Sequence, residues 1–384
     1  MTGFEMPPRE KTTSLSSKHR IPLRRKIAFT LLTLAMVLVC CEGLLRVRAW
    51  IRYGRVTSQG TRPMYVYDQN LLITIPRAGY EVVGTRVNVK INSLGFRGEE
   101  ISQKKPSGAI RIVCTGASTT FCEEATSNDT TWPAQLQKRL RARYPDQNIE
   151  VINAGITGSA IISSLRDIRG RLLGLEPDLV ILYRANNDIV LNTRKLAMDR
   201  GLVASKFSRQ SGMMATLAKF SILAHLIRTN IDLIIRPHQE TLDSIPPELP
   251  ERFIRILGKI DDELKKENIP LLLSTFQVKF RPEQSRETQI ANSRLAFYHM
   301  PWASMEDLTA VFETYNKAIV DFATSRSILV LTDTDSIPAD DTHFADYMHL
   351  TDAGCEAMAV RFAKFMEQTR CIESIIAKRA STAP

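Results

Sequence analysis

A three-layer α/β/α domain with a mostly parallel five-stranded sheet, preceded by one transmembrane helix, is the architecture this sequence predicts. Three observations carry that expectation. Apolar β-type runs fall at 110–114, 149–153, 179–183, 271–274 and 328–331, each short and nearly free of charge. Helical patterns lie between and after them, at 130–143, 159–174, 251–267, 305–324 and 351–369. Ahead of both stands a single stretch, 27–45, that is apolar except for Glu42. Uncharged strands alternating with helices imply a parallel sheet buried on both faces.

A helix needs roughly 20 apolar residues to cross a bilayer, so 27–45 suffices if its ends snorkel. Lys18, Arg20, Arg24, Arg25 and Lys26 precede it and predict a cytoplasmic N-terminus, residues 1–26 forming a basic tail. Glu42 and Arg46 are four apart and placed to pair at the interface. No small-x-small cleavage site follows, because Val39-Cys40-Cys41-Glu42 stands there, and Val39 is also wrong before a lipoprotein cysteine. A signal anchor is expected, with the bulk of the chain outside the cytoplasm. The formal charge of +10 belongs mostly to this region: residues 1–60 hold eleven Lys/Arg against three acids, which leaves +2 for the rest. A near-neutral body excludes nucleic acid as the expected partner.

Residues 46–107 read as a juxtamembrane stalk and β-rich approach, with period-two alternation at 87–92 that breaks at Ser93-Leu94-Gly95. The main domain is expected over 108–370, with an insert at 191–250 that the strand–helix alternation does not require. An amphipathic helix around 214–235 and a Pro-rich exit at 245–250 mark that insert. It reads either as a lid resting on the membrane or as a packed helical decoration. Residues 371–384 read as a tail. Cys114, Cys122, Cys355 and Cys371 suffice for two bridges in an oxidising compartment, although a core of this size does not need them, and Cys114 falls in a buried strand.

In open α/β sheets ligands bind beyond the carboxyl ends of the strands. Ser118 follows the first run, where Gly116 and Ala117 let the backbone turn sharply; Asn153-Ala154-Gly155 ends the second; Ala185-Asn186-Asn187-Asp188 follows the third. Far downstream, His349 has Asp346 three residues before it. A hydroxyl at a strand end and an imidazole with its own carboxylate are the parts of a nucleophilic triad. Taken singly, Ser118 also reads as a helix cap, His349 as a histidine at a helix start and Asn187 as a turn residue. Asp341, His343, Asp346 and His349 further admit a metal-ligand reading, but the Asp346/His349 spacing fits a triad pair as well; no metal or cofactor is expected. Asn128-Asp129-Thr130 matches a glycosylation acceptor and, before Trp132-Pro133, reads more simply as a helix-capping segment.

Across about 108–370 the pattern resembles the SGNH (GDSL-type) hydrolase family. Its four signature positions occur in order, as Ser118 in Gly-Ala-Ser-Thr-Thr, Gly155 in Asn-Ala-Gly, Asn187 in Asn-Asn-Asp and His349 in Asp-x-x-His-Leu. The resemblance implies a flavodoxin-like fold, Ser118 as nucleophile, His349 as general base and Asp346 as the residue orienting the imidazole. It also implies an oxyanion hole from the N–H groups of Ser118 and Gly155 and the amide of Asn187. Two departures stand out: Ala117 replaces the usual Asp before the nucleophile, and Arg184-Ala185 stands where a glycine is expected. Neither removes a catalytic group. The expected activity is cleavage of carboxylic esters outside the cytoplasm, with acetyl esters of polysaccharide ranked ahead of lipid esters. An O-acyltransferase on the same site, or a non-catalytic surface carbohydrate-binding domain, are the alternatives.

Overall fold

The computed structural model describes residues 22–53, 64–84, 87–203, 213–227, 241–333 and 336–382. The first described element is α1 (Leu23–Tyr53), a helix long and apolar enough to cross a membrane, which contains the expected 27–45 run and extends beyond it. Two short antiparallel hairpins follow. β1 (Tyr65–Asp68) pairs with β2 (Ile73–Pro76), and β3 (Glu81–Val83) with β4 (Asn88–Lys90). The alternation at 87–92 therefore yields a strand of only three residues, because Asn92 turns the chain: its Oδ1 accepts from Leu94 N and Phe96 N.

The main sheet then forms in alternation with helices: β5 (Ile110–Gly116), α2 (Ser118–Phe121), α3 (Trp132–Arg143), β6 (Ile149–Gly155), α4 (Ile161–Asp167), β7 (Leu179–Tyr183) and α5 (Asn186–Asp199). Past the insert come α8 (Glu251–Lys266), β8 (Leu271–Ser274), α9 (Arg286–Asn292), α10 (Arg294–His299), α11 (Met305–Ser325), β9 (Leu329–Leu331), α12 (Asp352–Gln368) and α13 (Cys371–Thr382). The insert itself supplies α6 (Met213–Phe220) and α7 (222–227). The single helix expected over 214–235 is thus broken at Ser221, and its remainder lies outside the described residues.

All five strands are parallel, in the order β6-β5-β7-β8-β9. Every residue of β5, β7 and β8 is buried, which requires helices on both faces. The strand order reverses direction around β5, so the crevice of this doubly wound sheet opens at the carboxyl end of β5. Aromatic side chains fill the helical layers. Trp132 stacks on Phe362 at 4.9 Å and Tyr183 on Phe276 at 5.2 Å, and burying side chains of this size contributes about 1.5–3 kcal/mol each.

Two local departures have physical causes. The helix expected at 159–174 ends at Asp167, passes through a π-turn at Ile168–Leu172 and closes in a 3-10 turn at Leu173–Leu175. Leu71, from the β1–β2 hairpin, presses on this bulge so closely that a Cβ on Gly170 would lie 2.0 Å from its Cδ2. The segment set apart as a tail is the helix α13, whose Cys371 and Ile372 are buried and whose Arg379 reaches Asp178. The six cysteines are all free thiols, so the two bridges allowed by their number are absent.

Candidate active site

Three strand ends stand in one row. Gly116 is in register with Gly155 on one side and Tyr183 on the other, so Ser118, Gly155 and the start of α5 meet at the same edge. The turn into α2 is close-packed. A Cβ on Gly116 would fall 2.1 Å from Thr120 Oγ1 and 2.3 Å from Tyr183 O; one on Gly155 would fall 2.1 Å from Phe121 N. Both positions need glycine because backbone passes directly over them. Thr120 Oγ1 donates to Tyr183 O at 2.9 Å and ties the turn to β7. Ala117, in place of the usual Asp, is buried, and its carbonyl accepts from Thr120 N and Phe121 N.

Ser118 opens α2 and is 5 % exposed. Its Oγ lies 2.8 Å from His349 Nε2, and His349 Nδ1 lies 2.6 Å from Asp346 Oδ2. Residues 231 positions apart are thereby joined in one hydrogen-bonded chain. The other oxygen of Asp346 accepts from Met348 N and His349 N, each at 2.8 Å, which fixes the carboxylate before it meets the ring. Burial pushes the Asp346 carboxyl up, but the hydrogen bond and charge of His349 and the two N–H groups outweigh it and hold its pKa below the usual value. Burial likewise opposes a charged His349. The hydrogen bond and charge of Asp346, with the charges of Glu123 and Glu124, outweigh it, and the imidazole ends above its ordinary pKa.

The histidine loop is pinned from several sides by residues that sequence reasoning passed over. Tyr347 is fully buried, donates its hydroxyl to Asn186 Oδ1 at 2.8 Å and offers its carbonyl to Lys279 N at 2.8 Å. Asp352, at the start of α12, accepts from Thr126 N at 2.8 Å and Thr126 Oγ1 at 2.5 Å, joining the loop after α2 to the helix after His349. A Cβ on Gly354 would lie 2.0 Å from His343 O, so that helix start also needs a glycine. Asp341 faces Lys279 and His343 Nδ1 faces Asp340 at 2.8 Å, so these two members of the metal reading turn to other partners.

Behind Ser118 the largest omission from the sequence reading is Arg97. Its guanidinium is buried and all five of its N–H donors are engaged. They reach Phe121 O at 3.0 Å, Cys122 O at 2.6 Å, Ala125 O at 3.3 Å, Ser127 O at 3.2 Å and Asn128 Oδ1 at 3.1 Å. Cys122, in a left-handed conformation at φ 61°, ends α2, and the arginine gathers the carbonyls of the loop that follows. Asn128 also bonds Lys90 N and Lys90 O, so its side chain joins β4 to this loop rather than capping α3.

Gly155 lies against α2, with its N–H on Asn153 Oδ1 at 3.1 Å. Asn187 Nδ2 donates to Ser159 O at 2.8 Å. Arg184, where a glycine was expected, is buried; it bonds Ser159 O and Ser164 Oγ and pairs with Asp188 at 3.6 Å. Asp188 in turn accepts from Ile161 N, so this group braces the start of α4 against the Asn187 turn.

A parallel doubly wound sheet with a serine–imidazole–carboxylate chain at its switch point defines a class of α/β hydrolytic enzyme. Residues 114–357 match the GDSL-like Lipase/Acylhydrolase family. The chain belongs to that family and is an SGNH-type ester hydrolase. Similar solved structures include LAE5, an alpha/beta hydrolase from the metagenome of Lake Arreo in Spain (14% identity, 67% of this chain and 96% of that one, TM-score 0.42). A catalytic mutant of Axe2, an acetylxylan esterase from Geobacillus stearothermophilus, is similar at 15% identity over 68% of this chain and 96% of its own, TM-score 0.42. A putative lipolytic G-D-S-L protein from Desulfitobacterium hafniense is similar at 13% identity over 66% and 98%, TM-score 0.37. No curated protein matches the chain.

Proposed function

We propose that this chain is a membrane-anchored, extracytoplasmic serine esterase that works through an acyl-enzyme on Ser118. The observation that carries the reading is the unbroken chain from Ser118 Oγ through His349 to Asp346. With Asp346 accepting from Nδ1–H, His349 keeps Nε2 free of its proton and ready to take the one on Ser118 Oγ. The freed alkoxide attacks the ester carbonyl, and the imidazolium then returns its proton to the departing alcohol. Water, activated by the same imidazole, releases the acid and restores Ser118.

The oxyanion of each tetrahedral intermediate needs fixed donors. Ser118 N–H lies in the first turn of α2, where helical N–H groups have no intrahelical acceptor. The Asn187 amide carries a second N–H beside the one on Ser159 O. The Gly155 N–H, at 3.1 Å from Asn153 Oδ1, is shared with the oxyanion as the third donor. We place a tail at 1–26, the anchor at 27–45, the approach at 46–107 and the hydrolase at 108–370, with α1 running past the anchor to Tyr53 and α13 packed on the hydrolase. The anchor helix, preceded by its basic cluster, supports a catalytic domain outside the cytoplasm. That location favours acyl esters of exported or envelope polysaccharide, acetyl esters first, as substrates.

Labelling of the full-length protein with a fluorophosphonate probe tests the nucleophile. Ser118→Ala is expected to abolish labelling and to lower kcat on the order of 10⁶-fold; labelling that survives the substitution overturns the assignment. Acetylated oligosaccharides are expected to be cleaved with higher kcat/KM than long-chain acyl esters, and the reverse order overturns the substrate class.

A further inference from the structure

Glu42 is an ionisable residue inside the otherwise apolar 27–45 run of α1, and such residues within a membrane span call for a partner that satisfies them. Its partners are the two helices of the insert. One carboxylate oxygen accepts from Ser221 Oγ and Leu223 N, each at 2.9 Å, and the other from Ile222 N at 3.2 Å, so Glu42 caps the start of α7. Arg46, paired with Glu42 at 2.8 Å, donates from Nη2 to Phe220 O at 2.6 Å and so takes the end of α6. The break at Ser221 thus has its exposed backbone groups answered from α1, by a side chain of each charge.

The depth of this joint is set by the sequence. Glu42 lies three residues before Leu45, about 4.5 Å inside the end of the apolar run at 1.5 Å per residue. The insert presents apolar surface at that level. Leu217, Phe220, Leu226 and Ile227 are 47%, 73%, 40% and 38% exposed, while Ala218 is buried. Four large exposed apolar side chains within eleven residues exceed what a water-facing surface ordinarily carries. α1 is itself exposed along its apolar run, at Leu34, Val37 and Leu38 among others.

We infer that α6 and α7 are seated in the outer interface of the bilayer, clamped to the anchor helix by Glu42 and Arg46, with Leu217, Phe220, Leu226 and Ile227 turned to lipid. The occupant of this surface is the acyl-chain and headgroup boundary of a phospholipid membrane. The inference rests on the anchor reading above. It also bears on the catalytic site, because α5 starts at the Asn187 turn and the chain runs from its end into the insert. The hydrolase is thereby held to the membrane at two places, through the chain after α1 and through the insert.

The test uses the full-length protein in vesicles of phosphatidylethanolamine and phosphatidylglycerol, with part of the acyl chains brominated. Environment-sensitive fluorophores are placed at Phe220→Cys and, separately, at Val37→Cys, in a Cys40→Ser, Cys41→Ser background where the other four cysteines are buried. A probe at Ile290→Cys, exposed on the body, sets the unquenched level. Quenching at both 37 and 220 is expected. Glu42→Ala is expected to reduce quenching at 220 severalfold while leaving 37 and fluorophosphonate labelling unchanged; Arg46→Ala should act in the same direction. Quenching at 37 without quenching at 220 overturns the membrane seat and leaves the anchor standing. Absence of quenching at both overturns the anchor reading itself. Quenching at 220 that is indifferent to Glu42→Ala and Arg46→Ala overturns the clamp.

Discussion

Asp346 and Asp178 lie at opposite ends of the same sheet, both largely buried and both accepting a backbone N–H, and they are put to different uses. Asp178, at the amino end of β7, accepts from Arg111 N at 2.8 Å, Lys105 Nζ at 2.9 Å and Arg379 Nη2 at 2.8 Å. Two permanent cations neutralise it, and they bind β7, the approach to β5 and α13 together. Asp346 has no permanent cation within salt-bridge distance among the described residues. Its ionic partner is His349, which acquires charge only when it accepts a proton. In the proposed mechanism its field remains available for the imidazolium that forms as Ser118 attacks. A carboxylate satisfied by fixed cations holds structure; one paired with a titrating ring can lower a barrier.

Substitutions at the two positions should separate along that line. The largest expected effect is Asp346→Asn, which forces the wrong imidazole tautomer and should lower kcat by about 10⁴-fold with KM and folding retained. Steady-state kinetics on a soluble ester check it, and a loss below tenfold breaks the contrast. Asp178→Asn should leave kcat and KM of the folded enzyme unchanged and reduce stability by about 1–3 kcal/mol, because Lys105 and Arg379 lose their counter-charge. Urea unfolding reads that loss; a change in kcat without a change in midpoint contradicts the structural role.

The smallest effect sharpens the electrostatic half of the comparison. Glu123 and Glu124 help hold the His349 pKa above its ordinary value, and in the proposed mechanism His349 accepts its proton from Ser118 while in the neutral form. Activity therefore rises as pH rises through that pKa. Replacing both with Gln lowers it, so the acid limb of kcat/KM moves to lower pH. The pH–rate profile of the double variant measures the displacement, and a shift to higher pH refutes the assignment.

The sheet was legible because its strands are uncharged and end in small or polar residues: 179–183 and 271–274 coincide with β7 and β8. That Ser118, Asp346 and His349 come together was legible because triad chemistry permits few residue types, and because Asp346 and His349 share one turn. What the sequence hid is nonlocal. Arg97 meets its five acceptors at residues 121–128, and nothing in Phe96-Arg97-Gly98 announces them. Tyr347 reads as one more aromatic until Asn186 is beside it. Strands of three or four residues, such as β1 to β4, carry too little periodicity to be recognised and exist through the contacts they make. The break at Ser221 was missed because the side chain that answers it, Glu42, lies 179 residues away.

Arg97 also decides how this enzyme can be cut and rejoined. A graft that exchanged everything before residue 108 would carry away Arg97, whose guanidinium closes the loop behind Ser118, along with Lys90, which holds Asn128 in place. The splice that preserves the loop lies upstream of Tyr65, where the first hairpin begins. In engineering terms, the approach segment travels with the catalytic domain, and a splice upstream of Tyr65 exchanges α1 together with the Glu42 and Arg46 contacts to the insert.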